Sequence, residues 1–224
     1  MTHPDAARQD ERQRPRVVVI DDSTLVREAF GMVHPGLELL GAWPTIEPLL
    51  AQRPAAELVV LDLHLGADDR PDVRQGTRAI RAVSAAGYRI CLYTDESRPL
   101  VLAQCLRAGA DGLVRKSAPS ARAEADFLEA AAGGAVLPPS LVSLAELLER
   151  RGALPELTDR QRQVLGARAR GERWASIAQR LFITERVARE HMEAVSKKLS
   201  DRLRDTSPAD LERMLGTGPG DLVD

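Results

Sequence analysis

Short apolar runs recur along the first half of the chain: VVVI before Asp21, LVVL before Asp62, RICLY before Thr94 and GLVR before Lys116. Runs this short, rich in Val, Leu and Ile and separated by helical stretches, read as strands of a parallel sheet covered on both faces. The pattern predicts strand 16–21, a helix near 24–34 capped by Ser23 or Thr24, strand 37–42, a helix near 45–52 and strand 57–62. It continues with helix 75–86 ended by Gly87, strand 88–93, helix 98–108 ended by Gly109, strand 112–116 and helix 120–132 ended by Gly133-Gly134. The caps and glycine stops are those that helices prefer.

Five repeats of strand then helix predict a doubly wound α/β domain with a five-stranded parallel sheet, in the flavodoxin-like order 2-1-3-4-5. From about 135 the character changes. Pro138-Pro139 breaks the pattern, Leu141–Arg151 reads as an amphipathic helix, and Gly152 with Pro155 ends it. Four short helical segments follow, near 158–170, 174–181, 184–199 and 207–215, without a strand signal. The expected division is a disordered tail at 1–14, an α/β domain at 15–134, a linker with one helix at 135–156, a small all-α domain at 157–217 and a tail at 218–224.

Composition narrows the class. Hydrophobic content of 44% and charged content of 29% fit a globular protein, and the 3% aromatic share leaves the cores to Ala, Val, Leu and Ile. Cys91 and Cys105 form no ligand spacing and no disulfide framework. The N-terminus lacks an apolar signal core, and no stretch approaches the roughly 18 apolar residues of a membrane span, so a cytoplasmic protein away from membranes is expected. The net charge of −2 hides a division: residues 157–217 hold 13 Arg and Lys against 9 Asp and Glu. That net +4 permits nucleic-acid binding without establishing it.

The polar residues that end the strands carry the chemistry. In a doubly wound sheet the ligand site lies outside the carboxyl ends of the strands, so Asp21, Asp22, Asp62, Thr94 and Lys116 would converge on one crevice. Adjacent carboxylates suit Mg²⁺, a hard cation that takes oxygen ligands. A carboxylate nucleophile needs the charge on an incoming phosphoryl group neutralised, which Mg²⁺, an ammonium and a hydroxyl can do. The segments VVVIDDS, VVLDLHL, LYT and GADGLVRK resemble the receiver domain of two-component response regulators over roughly 16–133. That resemblance implies Asp62 as phosphoacceptor, Mg²⁺ bound by Asp21, Asp22, Asp62 and the backbone carbonyl of His64, Thr94 as switch hydroxyl, Lys116 as its charge partner, and a histidine kinase as phosphate source. Two positions depart from the family pattern. The loop after Asp62 reaches Gly76 about six residues late and holds Asp68-Asp69, and Leu113 stands where an aromatic residue is usual.

In the last third, Ile177, Ala178 and Leu181 share one helix face, Ile183 lies in a turn, and Thr184 caps a helix with Val187, Ala188, Met192, Val195 and Leu199 inward. Two helices joined by a three-residue turn make a helix-turn-helix. The spacing of LT, VL, IAQRLFIT, His191 and KKL resembles the LuxR/NarL-type output domain across about 157–215. The resemblance implies a double-stranded DNA face with Thr184, Arg186, Arg189, Glu190, His191, Glu193, Lys197 and Lys198, and pairing of two chains through the last helix. Arg189 can read guanine or meet a phosphate, while Arg186, Lys197 and Lys198 suit phosphates. Glu190 and Glu193 are less basic than the family pattern: they can read cytosine, stay solvated, or weaken DNA binding. Val187 replaces a usual hydroxyl residue and Gln161 a usual Glu, which puts their local hydrogen bonds in question.

The expected function is a response-regulator transcription factor. Phosphorylation of Asp62 would control dimerisation and promoter binding, with no catalysis beyond the domain's own phosphoryl transfer and dephosphorylation. A phosphorylation-independent DNA-binding regulator or ligand sensor is the alternative, and a helical domain that binds protein is a third. A metabolic hydrolase is disfavoured because no nucleophile–base pair is evident.

Overall fold

The computed structural model describes residues 14–66, 73–134, 136–154, 156–207, 209–210 and 213. The N-terminal tail apart from Arg14, the pair Asp68-Asp69, the C-terminal tail and most of the helix expected at 207–215 lie outside these residues. Arg14 is tied down, its Nη1 donating to the Pro35 carbonyl at 3.2 Å.

The elements run β1 (Arg16–Ile20), α1 (Thr24–Val33), β2 (Glu38–Trp43), α2 (Glu47–Gln52), β3 (Leu58–Leu61), α3 (Gly76–Ala85), β4 (Ile90–Thr94), α4 (Pro99–Ala108), β5 (Gly112–Arg115) and α5 (Ser120–Ala131). Then come α6 (Pro139–Arg150), α7 (Asp159–Ala169), α8 (Trp174–Leu181) and α9 (Glu185–Arg204). The strands form one parallel sheet in the order β2-β1-β3-β4-β5, as the strand–helix alternation predicts. Side chains alternate across it. Val17 and Val19 enter one core with Phe30 of α1 and Phe127 of α5, whereas Val18 and Ile20 enter the other with Ile80 of α3 and Leu102 and Leu106 of α4. Each fully buried Val or Leu contributes about 1.5–3 kcal/mol, and burial on both faces explains why the strands read as unbroken apolar runs.

Most predicted element ends agree to within one or two residues. α9 is the exception, because it passes the expected stop at 199 and reaches Arg204. Val195, Leu199 and Leu203 recur every fourth residue and are all buried, so the apolar stripe persists through a polar stretch with no helix breaker. Pro139 does not break α6 either. It sits in the first turn, where its missing N–H costs nothing. Leu141, Ala145 and Leu148 of α6 are fully buried, and the helix packs on both α4 and α7. One apolar cluster therefore extends from the sheet through α4 and α6 into α7, α8 and α9.

His34, the C-cap of α1, is 2% exposed against the rings of Phe30 (4.6 Å) and Phe127 (5.3 Å), and its Nδ1 has no hydrogen-bond partner. Burial lowers its pKa below the usual imidazole range, and Glu124, 3.9 Å away, only partly opposes this. The folded state thus prefers neutral His34 while the unfolded chain protonates near pH 6.5, so stability present above that pH is lost as pH falls through the interval below it. His34→Phe should flatten the pH dependence of the thermal midpoint between pH 6.5 and 5, whereas an unchanged slope would assign that dependence elsewhere.

Candidate functional site

The sheet's hydrogen-bond ladder continues one residue past each of three strands, and there it fixes the polar residues. Asp21 N donates to the Trp43 carbonyl at 3.1 Å, Asp62 N to Ile20 at 2.8 Å and Lys116 N to Thr94 at 3.2 Å. The side chains of Asp21, Asp22, Asp62 and Lys116 converge. Carboxylate oxygens of Asp21, Asp22 and Asp62 lie within 4.8 Å of one another. Lys116 Nζ donates to Asp62 Oδ2 at 2.7 Å and forms an ion pair with Asp21 Oδ2, also at 2.7 Å. Asp21 and Asp62 are buried, at 1% and 6% exposure, while Asp22 faces solvent.

Burial raises the pKa of Asp21 above the ordinary carboxylate range; Lys116 and the Ser23 amide oppose that shift, and neighbouring Asp62 adds to it. Burial also pulls the Lys116 ammonium down, but Asp21 and Asp62 together outweigh it and hold its pKa above the usual lysine value. Asp21 Oδ1 accepts from Ser23 N at 2.9 Å, while the buried Oδ2 lies 2.7 Å from the Lys116 ammonium. Three converging carboxylates, two of them buried and balanced by a single ammonium, are compatible with a small hard cation.

Thr94 is 3% exposed and its Oγ1 accepts from Glu96 N at 3.2 Å, which leaves the hydroxyl proton available to another acceptor. The Glu96 carboxylate grips the Arg98 guanidinium and the amides of Ser97 and Arg98, and this holds its pKa down at about 2. His64 is exposed two residues beyond Asp62, and Leu113 is buried in β5. Sequence reasoning missed Arg27. Its Nη1 donates to the main-chain carbonyls of Asp21 (2.6 Å) and Asp22 (2.8 Å), a role for which the sequence offers no signal beyond a basic residue in the second turn of α1.

In the C-terminal domain α8 and α9 form the expected pair. Thr184 Oγ1 caps α9 by accepting from Val187 N at 3.2 Å, and the turn places Phe182 at φ 54° with 95% exposure. Thr184, Arg186, Glu190 and Lys197 are exposed, with Arg186 paired to Glu190; His191 and Glu193 are half-buried. Lys198 is committed inside the domain, where it donates to Gln161 Oε1 at 3.0 Å and to the Glu156 carbonyl. Gln161 also completes a capping box with Thr158. Glutamine therefore supplies the local bonds that its replacement of glutamate had put in question, since the amide oxygen accepts as a carboxylate does.

Arg189 faces the α/β domain. Its Nη1 donates to Glu129 Oε2 of α5 at 3.3 Å, and its guanidinium lies 4.8 Å from the Trp174 ring, with Arg168 4.5 Å from that same ring. Burial raises the Glu129 pKa, Arg189 opposes the shift, and Asp126 and Glu193 add to it. α9 runs along α4, Arg204 stands 3.8 Å from Asp111, and a Cβ on Gly134 would fall 2.6 Å from Glu129 Cγ and 3.3 Å from Glu193 Oε1. Glycine at 134 thus lets the α9 face approach the end of α5.

The sequence model of the family described as bacterial regulatory proteins, luxR family, matches residues 155–204. The methanol utilization control regulatory protein MoxX of Paracoccus denitrificans is 30% identical over 211 residues, covering 91% of this chain and 92% of that protein. The probable transcriptional regulatory protein NarL of Mycobacterium tuberculosis is 31% identical over 214 residues, covering 91% and 97%. Among solved structures, the fold resembles the Salmonella typhimurium RcsB response regulator, with TM-score 0.52, 18% identity, and 91% of this chain and 99% of that one covered. A structure of two RcsB dimers bound to two parallel DNAs gives TM-score 0.50 at 18% identity, covering 91% and 98%.

The balance of charge in the acidic pocket gives a direct test. Lys116→Met should cost on the order of 1–3 kcal/mol at neutral pH by leaving buried carboxylate oxygens unpaired. The raised pKa of Asp21 means that it takes up a proton at higher pH than an ordinary carboxylate, so the deficit in urea unfolding should shrink as the pH is lowered from 7.5 toward the carboxylate range. A deficit independent of pH would attribute the cost to packing.

Proposed function

Because this chain belongs to the NarL/LuxR-type response regulators, transcription factors that join a receiver domain to a LuxR-type helix-turn-helix, we propose that Asp62 accepts a phosphoryl group from a histidine kinase and thereby controls binding of promoter DNA by the C-terminal domain. The observation that carries this reading is the convergence of three carboxylates within 4.8 Å beside one ammonium at the carboxyl edge of the sheet.

Asp21, Asp22, Asp62 and the main-chain carbonyl of His64 would hold Mg²⁺, which when bound neutralises charge on the phosphoryl oxygens. An Asp62 carboxylate oxygen attacks phosphorus, a P–O bond forms, and the P–N bond to the kinase histidine breaks. Lys116 follows the charge from the carboxylate to a phosphoryl oxygen. The Thr94 hydroxyl, whose proton is uncommitted, donates to another. The domain would catalyse this transfer and, when water displaces the Asp62 carboxylate from phosphorus, its own dephosphorylation with release of inorganic phosphate.

The output half is held in a closed arrangement. Arg189, which can read guanine or meet a phosphate, is paired with Glu129, and α9 lies against α4. Glu129 offers Arg189 the same kind of anionic oxygen that a phosphate does, so the receiver and DNA compete for one guanidinium. Phosphorylation would shift an existing equilibrium toward a state in which these contacts loosen and two chains pair on promoter DNA. Thr184, Arg186 and Lys197 are exposed and suit phosphate contacts, with Glu190, His191 and Glu193 flanking them. Lys198 belongs to this surface only if it gives up Gln161.

Leu113 favours a second reading, a regulator that works without phosphorylation, since a buried leucine cannot act as an aromatic reporter of the switch. Asp62→Asn should abolish Mg²⁺-dependent labelling by acetyl phosphate while leaving the fold intact by circular dichroism. Wild-type protein that binds neither Mg²⁺ nor beryllofluoride would make the second reading the better one. Glu129→Gln should bind duplexes selected from a random pool several-fold more tightly than the unphosphorylated wild type, measured at fixed salt. Equal affinity would remove the Glu129–Arg189 pair from control.

A further inference from the structure

We infer that Arg27 is a positioning residue that sets how tightly the acidic pocket holds its divalent cation, acting through the backbone and not through its charge. This rests on the Mg²⁺ reading above. Its geometry is specific. One nitrogen, Nη1, donates to two successive carbonyls, Asp21 at 2.6 Å and Asp22 at 2.8 Å, while Nη2 donates to Thr24 Oγ1 at 3.0 Å. Those two carbonyls belong to the residues that bear two of the three converging carboxylates.

A chain leaving β1 for α1 must reverse direction within three residues, and there the carbonyls of Asp21 and Asp22 accept from neither sheet nor helix, while that of Ser23 accepts from Arg27 N at 3.2 Å. Arg27 supplies the missing donors from the second turn of the helix that follows. The consequence reaches the carboxylate because Asp21 Oδ1 is already fixed on Ser23 N at 2.9 Å. With the loop held, Oδ2 is the oxygen left for the pocket, where it lies 2.7 Å from Lys116 Nζ in the cluster of three carboxylates. Release the loop, and the Ser23 amide and the Asp21 rotamer move together.

A guanidinium holds its donors in a rigid plane, whereas a lysine ammonium is a point charge on a flexible stem. Lysine at 27 would keep the charge but lose the fork. Partners that orient metal ligands typically change metal affinity 10–100-fold when removed. The indole of Trp43 offers a reporter, since its own carbonyl accepts the Asp21 amide at 3.1 Å.

The experiment is a MgCl₂ titration of the full chain, read by tryptophan fluorescence and by calorimetry, for wild type, Arg27→Lys and Arg27→Gln, with thermal unfolding in Mg²⁺-free buffer alongside. Positioning predicts that both variants bind Mg²⁺ 10–100-fold more weakly. If Arg27→Lys retains wild-type affinity while Arg27→Gln loses it, charge and not geometry is the cause, and the inference is wrong. It is equally overturned if both variants lose thermal stability but keep their Mg²⁺ affinity, because Arg27 would then serve only the helix. A wild type that does not bind Mg²⁺ removes the underlying site, an outcome distinct from either of these.

Discussion

Two carboxylates held out of water at the rim of a parallel sheet are tolerable only because Lys116 reaches both. Asp21 and Asp62 are nearly inaccessible, and each has an oxygen 2.7 Å from the same ammonium. Burying an unpaired ion costs several kcal/mol, so that one bridge decides whether the three strand ends can close around the pocket at all. It also explains why the site is poised. In the proposed function, a cation or phosphoryl group entering the pocket would take over charges that this bridge now balances.

The proposed control of output rests on a similar balance of charge at the other end of the molecule. Arg189 is held by Glu129, and two guanidinium groups, Arg168 and Arg189, lie 4.5 and 4.8 Å from the Trp174 ring. Crowded cations of this kind are costly, as the lowered pKa of Arg168 indicates, with burial its first cause and Arg122 and Arg189 next. The closed arrangement therefore combines a broad apolar contact along α4 with a charged rim that a polyanion would satisfy at least as well.

Much of this was legible in the sequence because period and polarity report burial. Runs such as LVVL are buried on both sides, and a charged residue directly after such a run must lie at a strand end. The site was legible for the same reason. What escaped was long-range and carried by the backbone. Nothing in the sequence announces that the guanidinium of Arg27 bonds two carbonyls, that Lys198 turns inward to Gln161, or that Arg189 finds Glu129 sixty positions away. α9 runs past its expected end because Leu203, beyond the polar stretch 200–202, is held by packing that only the tertiary fold supplies.

The buried stripe of α6 bears on how the protein can be divided. Leu141, Ala145 and Leu148 are shared property, with α4 on one flank and α7 on the other. A proteolytic cut between α6 and α7 would strip an oily side from each fragment, leaving both prone to stick. Melting should accordingly proceed as one event for the intact chain, with the halves losing order together, and a regulator built this way trades modularity for a hinge that must be prised open against its own core.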